Sequence, residues 1–290
     1  MARLPRSLFV VALLVVLTVP VGSSRWPAKS QQTMPAAPPG YTLVWSDEFN
    51  SADRSTPDPA KWHYDLGGNG WGNDELEFYT DHPQNAHIEN GHLVITAQEE
   101  KSITPKGITR EYTSARIKTQ TLFSQAYGRF EARIQIPQGM GLWPAFWMLG
   151  EDLPAVNWPR CGEIDIMENI GKEPSSIHAS LHGPPAPASG KRTADLTEKF
   201  SLPGQRKIAD DFHLFAVEWE PQELRFYIDQ TRYATFTRKQ WPAHAPWPFD
   251  HKFFIILNLA VGGSWPGAPD SSTVFPRQML VDYVRVYRRM

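Results

Sequence analysis

The sequence predicts an all-β domain, a β-sandwich of two packed antiparallel sheets. Three observations lead there. Short alternating or wholly apolar runs recur between glycine- and proline-rich turns, amphipathic helical spacing is nearly absent, and no internal repeat, charge block or second proline-rich break divides the chain after Tyr41. Two packed sheets that curve leave a concave face, and a groove there suits an extended polymer.

The elements follow in chain order. Asn90-Gly91 is a turn signal that opens a strand from His92 to Ala97, where Leu93 and Ile95 point one way. From Gly128 to Pro137, Phe130, Ala132, Ile134 and Ile136 alternate with Arg129, Glu131, Arg133 and Gln135, giving one buried and one wet face. Ile177, Ala179 and Leu181 alternate with His178, Ser180 and His182, while short turns of helix are expected near Lys191 to Phe200. His213 to Trp219 and Leu224 to Asp229 flank Pro221-Gln222 as two strands joined by a tight turn. Phe253 to Leu259 reads as an apolar run, as a strand buried on both faces would, and Met279 to Tyr287 closes the chain as an alternating strand.

Ahead of this domain, residues 1–23 read as a secretory signal peptide. Arg3 and Arg6 supply the positive start, Leu8 to Val21 is almost unbroken apolar sequence, and Gly22-Ser23-Ser24 offers small residues for cleavage. An uncleaved anchor is the competing reading, although the run is short for a bilayer. Residues 24–40, with Pro27, Pro35, Pro38 and Pro39, read as a flexible linker, and residues 41–290 as one domain of about 250 residues. The expected destination is extracellular or periplasmic, with no membrane association once the signal is cut. The formal net charge is −2, and loss of Arg3 and Arg6 makes it more negative, which argues against a nucleic-acid partner. Cys161 is the one cysteine, so an intramolecular disulfide is excluded and its expected role is a small buried hydrophobe. A monomer is expected.

The run Glu163-Ile164-Asp165-Ile166-Met167-Glu168 places three carboxylates in a strand-like segment. Alternation puts Glu163 and Asp165 on one face and the isoleucines on the other, and Glu168 joins the acids if Met167 is the extra residue of a β-bulge. Two glutamates flanking one position suit hydrolysis of a glycosidic bond, one attacking the sugar and the other protonating the leaving oxygen. An ordinary solvent-facing strand with a few acids is the alternative. Eleven tryptophans add aromatic faces of the kind that stack on sugar rings, though tryptophan also fills cores.

With Asn169 added, that run resembles the signature of glycoside hydrolase family 16. Gly70-Trp71-Gly72-Asn73-Asp74-Glu75-Leu76, Ser114-Ala115-Arg116-Ile117, Gly141-Leu142-Trp143-Pro144-Ala145-Phe146-Trp147-Met148-Leu149 and Asn258-Leu259-Ala260-Val261-Gly262-Gly263 resemble the family's other blocks in the same order. The likeness implies a jelly roll with a glycan cleft across its concave sheet. The extra residue, Met167, makes the chain similar to the laminarinases that cut β-1,3-glucan. A mixed-linkage glucan, a red-algal galactan or transfer to sugar remain alternatives, as does a non-catalytic glucan-binding protein, although relatives of that type typically lack the glutamate pair.

By position in the signature the resemblance implies Glu163 as nucleophile, Glu168 as general acid/base and Asp165 as the acid between them, with retention of configuration. Retention requires carboxyl groups about 5 to 5.5 Å apart. With a bulge the two glutamates stand four strand positions apart, roughly 13 Å between α-carbons, so long side chains must lean together. Glu163 is expected ionised and Glu168 protonated, its pKa raised by Asp165 and Glu163. Trp143 and Trp147 are expected to stack on glucose units, a core pair being the alternative. Asn73 and Arg116 are expected to bond sugar hydroxyls, a merely solvated arginine being the alternative for Arg116, and His182 to stand near the catalytic acids. Trp158 and Trp265 are weaker cleft candidates, and His178 could equally lie at the surface. No cofactor is expected for catalysis and no zinc pattern is present. The resemblance does imply a structural Ca²⁺, with Glu48, Gly91 and Asp282 in the places of its ligands, a donor set of oxygens that suits this ion.

Overall fold

The computed structural model describes residues 37–104 and 106–290, so the expected signal peptide and all but the last four residues of the expected linker lie outside the described residues. The strands in chain order are β1 (Tyr41–Asp47), β2 (His63–Asp65), β3 (Glu77–Tyr79), β4 (Ala86–Glu89), β5 (His92–Ile103), β6 (Thr109–Ser114), β7 (Arg116–Lys118), β8 (Gly128–Gln135) and β9 (Leu142–Gly150). They continue as β10 (Glu163–Glu168), β11 (Ser176–Gly183), β12 (Ala194–Ser201), β13 (His213–Glu220), β14 (Glu223–Ile228), β15 (Thr231–Thr237), β16 (Phe253–Val261) and β17 (Arg277–Arg289). The only α-helical element among the described residues is a single turn, Leu153–Val156.

Two sheets form the expected sandwich. One has ten strands along the path β15-β14-β13-β8-β17-β5-β6-β3, with β1 on β17 and β4 on β5; the other has seven, in the order β12-β11-β10-β9-β16-β7-β2. All pairings are antiparallel except β3 with β6. Between the sheets lies one core in which Phe130, Ala132 and Ile134 of β8 and Met279, Val281, Val284 and Val286 of β17 meet Phe146, Ile164, Ile177 and Leu257 of the smaller sheet. Every residue of β16 is buried, as its apolar sequence requires: Phe253, Ile255, Leu257, Leu259 and Val261 enter the main core. On the opposite face of that strand, Phe254 and Ile256 join Leu149 and Cys161 in a second apolar cluster. Cys161 is thus the small buried hydrophobe expected of it.

The segment near Lys191 to Phe200 differs from expectation. It is the edge strand β12, paired along its whole length with β11, and not turns of helix. Its apolar residues have a period of two: Ala194 enters the core and Leu196 and Phe200 pack against it. Asp195, Thr197 and Lys199 take the intervening positions, so the open edge is polar, which blunts it. Residues Pro38 and Gly40, at the end of the expected linker, accept hydrogen bonds from the amides of Tyr41 (3.0 Å) and Met290 (2.9 Å) and so are tied to the domain.

Candidate active site

The smaller sheet turns Glu163 and Asp165 of β10, Trp143 and Trp147 of β9 and Asn258 of β16 toward one face. There they line a cleft of about 550 Å³. Glu168 lines the same cleft because a bulge resets the alternation. Against β9 the register runs Asp165↔Trp147 and then Met167↔Phe146, and against β11 it passes from Asp165↔Ser180 to Glu168↔His178. Ile166 and Met167 are both buried in the core, so two consecutive side chains face inward and the next acid faces out. All three carboxylates therefore share one surface.

Each glutamate has its own indole donor. Trp158 Nε1 donates to Glu163 Oε2 at 2.7 Å and Trp143 Nε1 to Glu168 Oε1 at 2.9 Å. Between the glutamates, Asp165 is 3% exposed and faces His182 Nε2 at 3.2 Å, while His182 Nδ1 meets Asp195 Oδ1 at 2.7 Å. Burial works against charge on His182, but its hydrogen bonds to Asp165 and Asp195 outweigh it and push the imidazolium up to about 12. A fixed cation thus stands beside the acids.

Burial drives the Glu168 carboxyl well above its usual range, and the charges of Asp165 and Glu163 add to the rise. The expected effect of its neighbours holds, with burial the larger cause. Glu163 is itself pushed up, to about 8, by burial and then Asp165, while His182, the Trp158 N–H and Arg116 pull it down. Both glutamates thus favour the proton, and Glu168 is the more strongly disposed to keep it. Glu163, Asp165 and His182 also place one donor atom each within 4.8 Å of one another, the one such metal-capable group among the described residues. A metal there would have to displace the ion pair that His182 already makes.

The other expected residues divide by position. Asn73 lines the cleft and donates to Glu75 Oε1 at 3.2 Å. Arg116 lines it too, yet its guanidinium is already engaged. It lies 4.8 Å from the Trp71 ring and 4.7 Å from the Trp147 ring and pairs with Asp65 at 2.9 Å. Trp158 lines the cleft mouth and is 41% exposed. Trp265 sits edge-on to Trp143 at 5.3 Å and to His178 at 4.9 Å, so it buttresses the tryptophan beside Glu168. His178 is buried and bonded to Glu173 at 2.9 Å, which removes the surface alternative.

Sequence reasoning missed Trp71, Asn258, Asp195, Arg192 and Thr193. Asn258 had a signal, as the single polar residue of an otherwise apolar strand, and both it and Trp71 stand inside family-like blocks. Asp195 had none, because its segment read as helix.

Asp282 is in β17 of the larger sheet, while Glu48 directly follows β1 and Gly91 sits in the turn between β4 and β5. Asp282 follows Val281, which pairs with Leu93, and its Oδ1 is 3.9 Å from His92, the neighbour of Gly91; Glu48 follows Asp47, which pairs with Val284. The register therefore gathers these positions, and their oxygens suit Ca²⁺. Arg285 grips the Glu48 carboxylate at 2.9 and 2.8 Å and Arg133 reaches Asp282 at 3.0 Å, so an ion would compete with two guanidinium groups.

Residues 72–285 match the glycosyl hydrolases family 16. The chain belongs to that family. A curated relative, the beta-glucanase of Rhodothermus marinus, is 42% identical over 86% of each chain. Among solved structures, the endo-β-1,3-glucanase of Pyrococcus furiosus is 45% identical with a TM-score of 0.79, over 86% of this chain and 95% of that one. The laminarinase catalytic domain of Thermotoga maritima is 43% identical with a TM-score of 0.78, over 86% and 99%. Family 16 membership agrees with the jelly-roll sandwich and with the acid-bearing strand at its cleft. Glycosidases of this family need no cofactor for catalysis.

Proposed function

We propose that this chain is a secreted, retaining endo-β-1,3-glucanase. The observation that carries the reading is a pair of glutamates on one cleft floor, each held by an indole N–H and separated by an acid pinned to a histidine cation. Glu163 attacks the anomeric carbon, so that a bond from that carbon to the carboxylate oxygen forms as the glycosidic bond breaks. Glu168 gives its proton to the departing oxygen. Once Glu163 is esterified its charge is gone, and Glu168 is free to take a proton from water. That water attacks the same carbon, releases Glu163 and restores configuration. Asp165 and His182 tune the pair, while Trp143, Trp147 and Trp158 supply aromatic faces and Asn73 a hydroxyl partner. Arg116 acts by holding Trp71 and Trp147. Trp265 acts behind Trp143.

The substrate rests on the activities of the similar proteins and on a cleft that combines indoles with amide donors. The polysaccharide is the one partner of the reading; export through the residue 1–23 signal, the 24–40 linker and a monomeric state go with it. A structural Ca²⁺ held by Glu48, Asp282 and the Gly91 carbonyl also belongs to it, and would show as a higher unfolding temperature in Ca²⁺ than after chelation. The central test incubates the purified domain with laminarin, lichenan, agarose and κ-carrageenan and sizes the products. Laminarin is expected to yield short oligosaccharides, and Glu163→Gln is expected to abolish this while leaving fold and glucan binding. Products only from lichenan or a galactan would overturn the substrate, and turnover by Glu163→Gln would overturn the nucleophile.

A further inference from the structure

Glu75, Glu77 and Tyr79 alternate along the segment leading into and through β3, and all three are buried. The roles above use none of them. Their hydrogen bonds run in a line to the cleft, and the direction of each bond is fixed by chemistry.

Indole nitrogen can only donate, so Trp147 Nε1 at 2.7 Å obliges Asn258 to present its Oδ1. The Asn258 amide nitrogen then points away and donates to the Tyr79 oxygen at 3.1 Å. Tyr79 has one proton, and with its oxygen accepting from Asn258 it donates that proton to Glu75 Oε2 at 3.1 Å. Glu75 Oε1 receives Asn73 Nδ2 at 3.2 Å. Both Glu75 oxygens are thus acceptors. Behind them stands Glu77, 0% exposed, whose Oε2 accepts the Val261 amide at 2.7 Å. Its Oε1 is buried without a hydrogen-bond partner among the described residues, and the side chain in hydrogen-bonding reach of the Glu77 carboxyl is Glu75, two residues back on the same face. Two carboxyl groups can meet in this way only with a proton between them. Glu77, the more deeply buried of the two, is the group that carries it.

We propose that Glu77 is a protonated positioning residue whose acid proton, given to Glu75, anchors a one-way relay through Tyr79 and Asn258 that sets the Trp147 indole and the Asn73 amide at the cleft. The relay is closed at both ends on β16: Val261 holds Glu77 and Asn258 holds Trp147. Burial and the charge of Glu75 both press the Glu77 carboxyl well above its usual range, in keeping with the geometry. Ionised Glu77 would face Glu75 with lone pairs only, and the pair would be driven apart. The Asn73 and Tyr79 contacts would then lose their common acceptor.

The inference deepens the glucanase reading and rests on it for its kinetic arm, so the test has a second readout. Infrared difference spectra at neutral pH, wild type minus Glu77→Gln, are expected to show the carbonyl stretch of a protonated carboxylic acid. Tyr79→Phe, which cuts the relay but leaves the proton, is expected to keep that band. On laminarin, Tyr79→Phe and Glu77→Leu are each expected to lower kcat/KM about tenfold, mainly through a higher KM, the effect of losing one buried hydrogen bond. Glu77→Gln, which can donate to Glu75 and accept from Val261, is expected to recover most of the loss seen in Glu77→Leu. Tyr79→Phe carries the kinetic arm alone if Glu77→Leu fails to fold. Absence of the band overturns the inference whatever the substrate. An unchanged KM in Tyr79→Phe overturns the relay. A band present in a wild-type protein that leaves every β-glucan intact would overturn the glucanase reading and leave the protonated Glu77 standing.

Discussion

Asp165→Asn tests how charge is shared on the cleft floor. Asp165 lies two strand residues from Glu163 on the same face, about 7 Å along the backbone. At an effective dielectric constant of about 20, two unit charges at that distance repel by about 2.4 kcal/mol, or about 1.7 pKa units. His182 loses one anionic partner in the variant but keeps Asp195 at 2.7 Å, which offsets part of the gain. Both glutamates are therefore expected to titrate about 1 to 2 units lower. In the double-displacement reading the rising limb of the kcat/KM profile follows ionisation of Glu163, whose carboxyl is pushed up to about 8, and the falling limb follows loss of the Glu168 proton. The whole bell should move to lower pH in Asp165→Asn, and because neutral pH lies below a wild-type rising limb set by a Glu163 carboxyl pushed up to about 8, activity at neutral pH should rise. Laminarin hydrolysis followed across the pH range measures this directly. Limbs that stay in place, or move toward alkaline pH, would refute the assignment of Asp165 as the charge that holds up both neighbours.

Trp158→Phe removes the N–H given to Glu163 at 2.7 Å, so the rising limb should move about half a unit to one unit upward, opposite in sign to Asp165→Asn. Its kcat/KM loss should be largest at acid pH and shrink as pH rises. Glu163→Gln should be more stable than wild type above the unfolded glutamate pKa. Below that pKa both states hold the proton; between it and about 8 the folded state alone keeps it, so wild-type stability falls with rising pH through this window while the amide does not titrate. Because Glu163 is half-buried, a gain of about 1 kcal/mol is expected, a rise of about 2–4 °C by calorimetry at neutral pH and none at acid pH. Gly171→Ala would place a Cβ 1.6 Å from the Gly139 carbonyl oxygen, just beyond the acid-bearing strand, and should cost about 4 kcal/mol or more in denaturant unfolding.

The sandwich was legible because its strands announce themselves by period. Phe130 to Ile136 alternate and Phe253 to Leu259 do not, and the structure puts the apolar residues of the first in the core and the second between two apolar clusters; the opposite face of the first is less wet than expected, because Arg129 and Glu131 are buried as an ion pair. The acid trio was legible for the same reason, since a carboxylate in an isoleucine strand is out of place unless it faces a site. Asp195 was not, because its position opposite His182 comes from the pairing of β11 with β12, a contact that local sequence does not encode. Asp65 is similar: a three-residue strand gives no pattern, and its bond to Arg116 arises only when β2 closes the sheet edge on β7. Arg116 shows how a correct placement can carry a different role. A solvated sugar-binding arginine and one clamped between two indoles have the same sequence.

The bulge explains why Met167 can be added without separating the acids. Glu163 pairs with Leu149 and Glu168 with Ala145, and on the other side with His182 and His178, so both neighbouring strands count four positions where β10 itself counts five. The extra residue is absorbed by sending Ile166 and Met167 together into the core, where both are fully buried. An apolar residue is needed at 167 for that reason: a polar side chain would be buried there without a partner, at a cost of roughly 1–3 kcal/mol or more. Sulfur on a flexible chain fills the irregular space beside Ile166 better than a branched residue would. The spacing of the two glutamates is thus set by the neighbouring strands through the ladder, and the side chain that keeps Glu168 in the cleft is one buried in the core behind it.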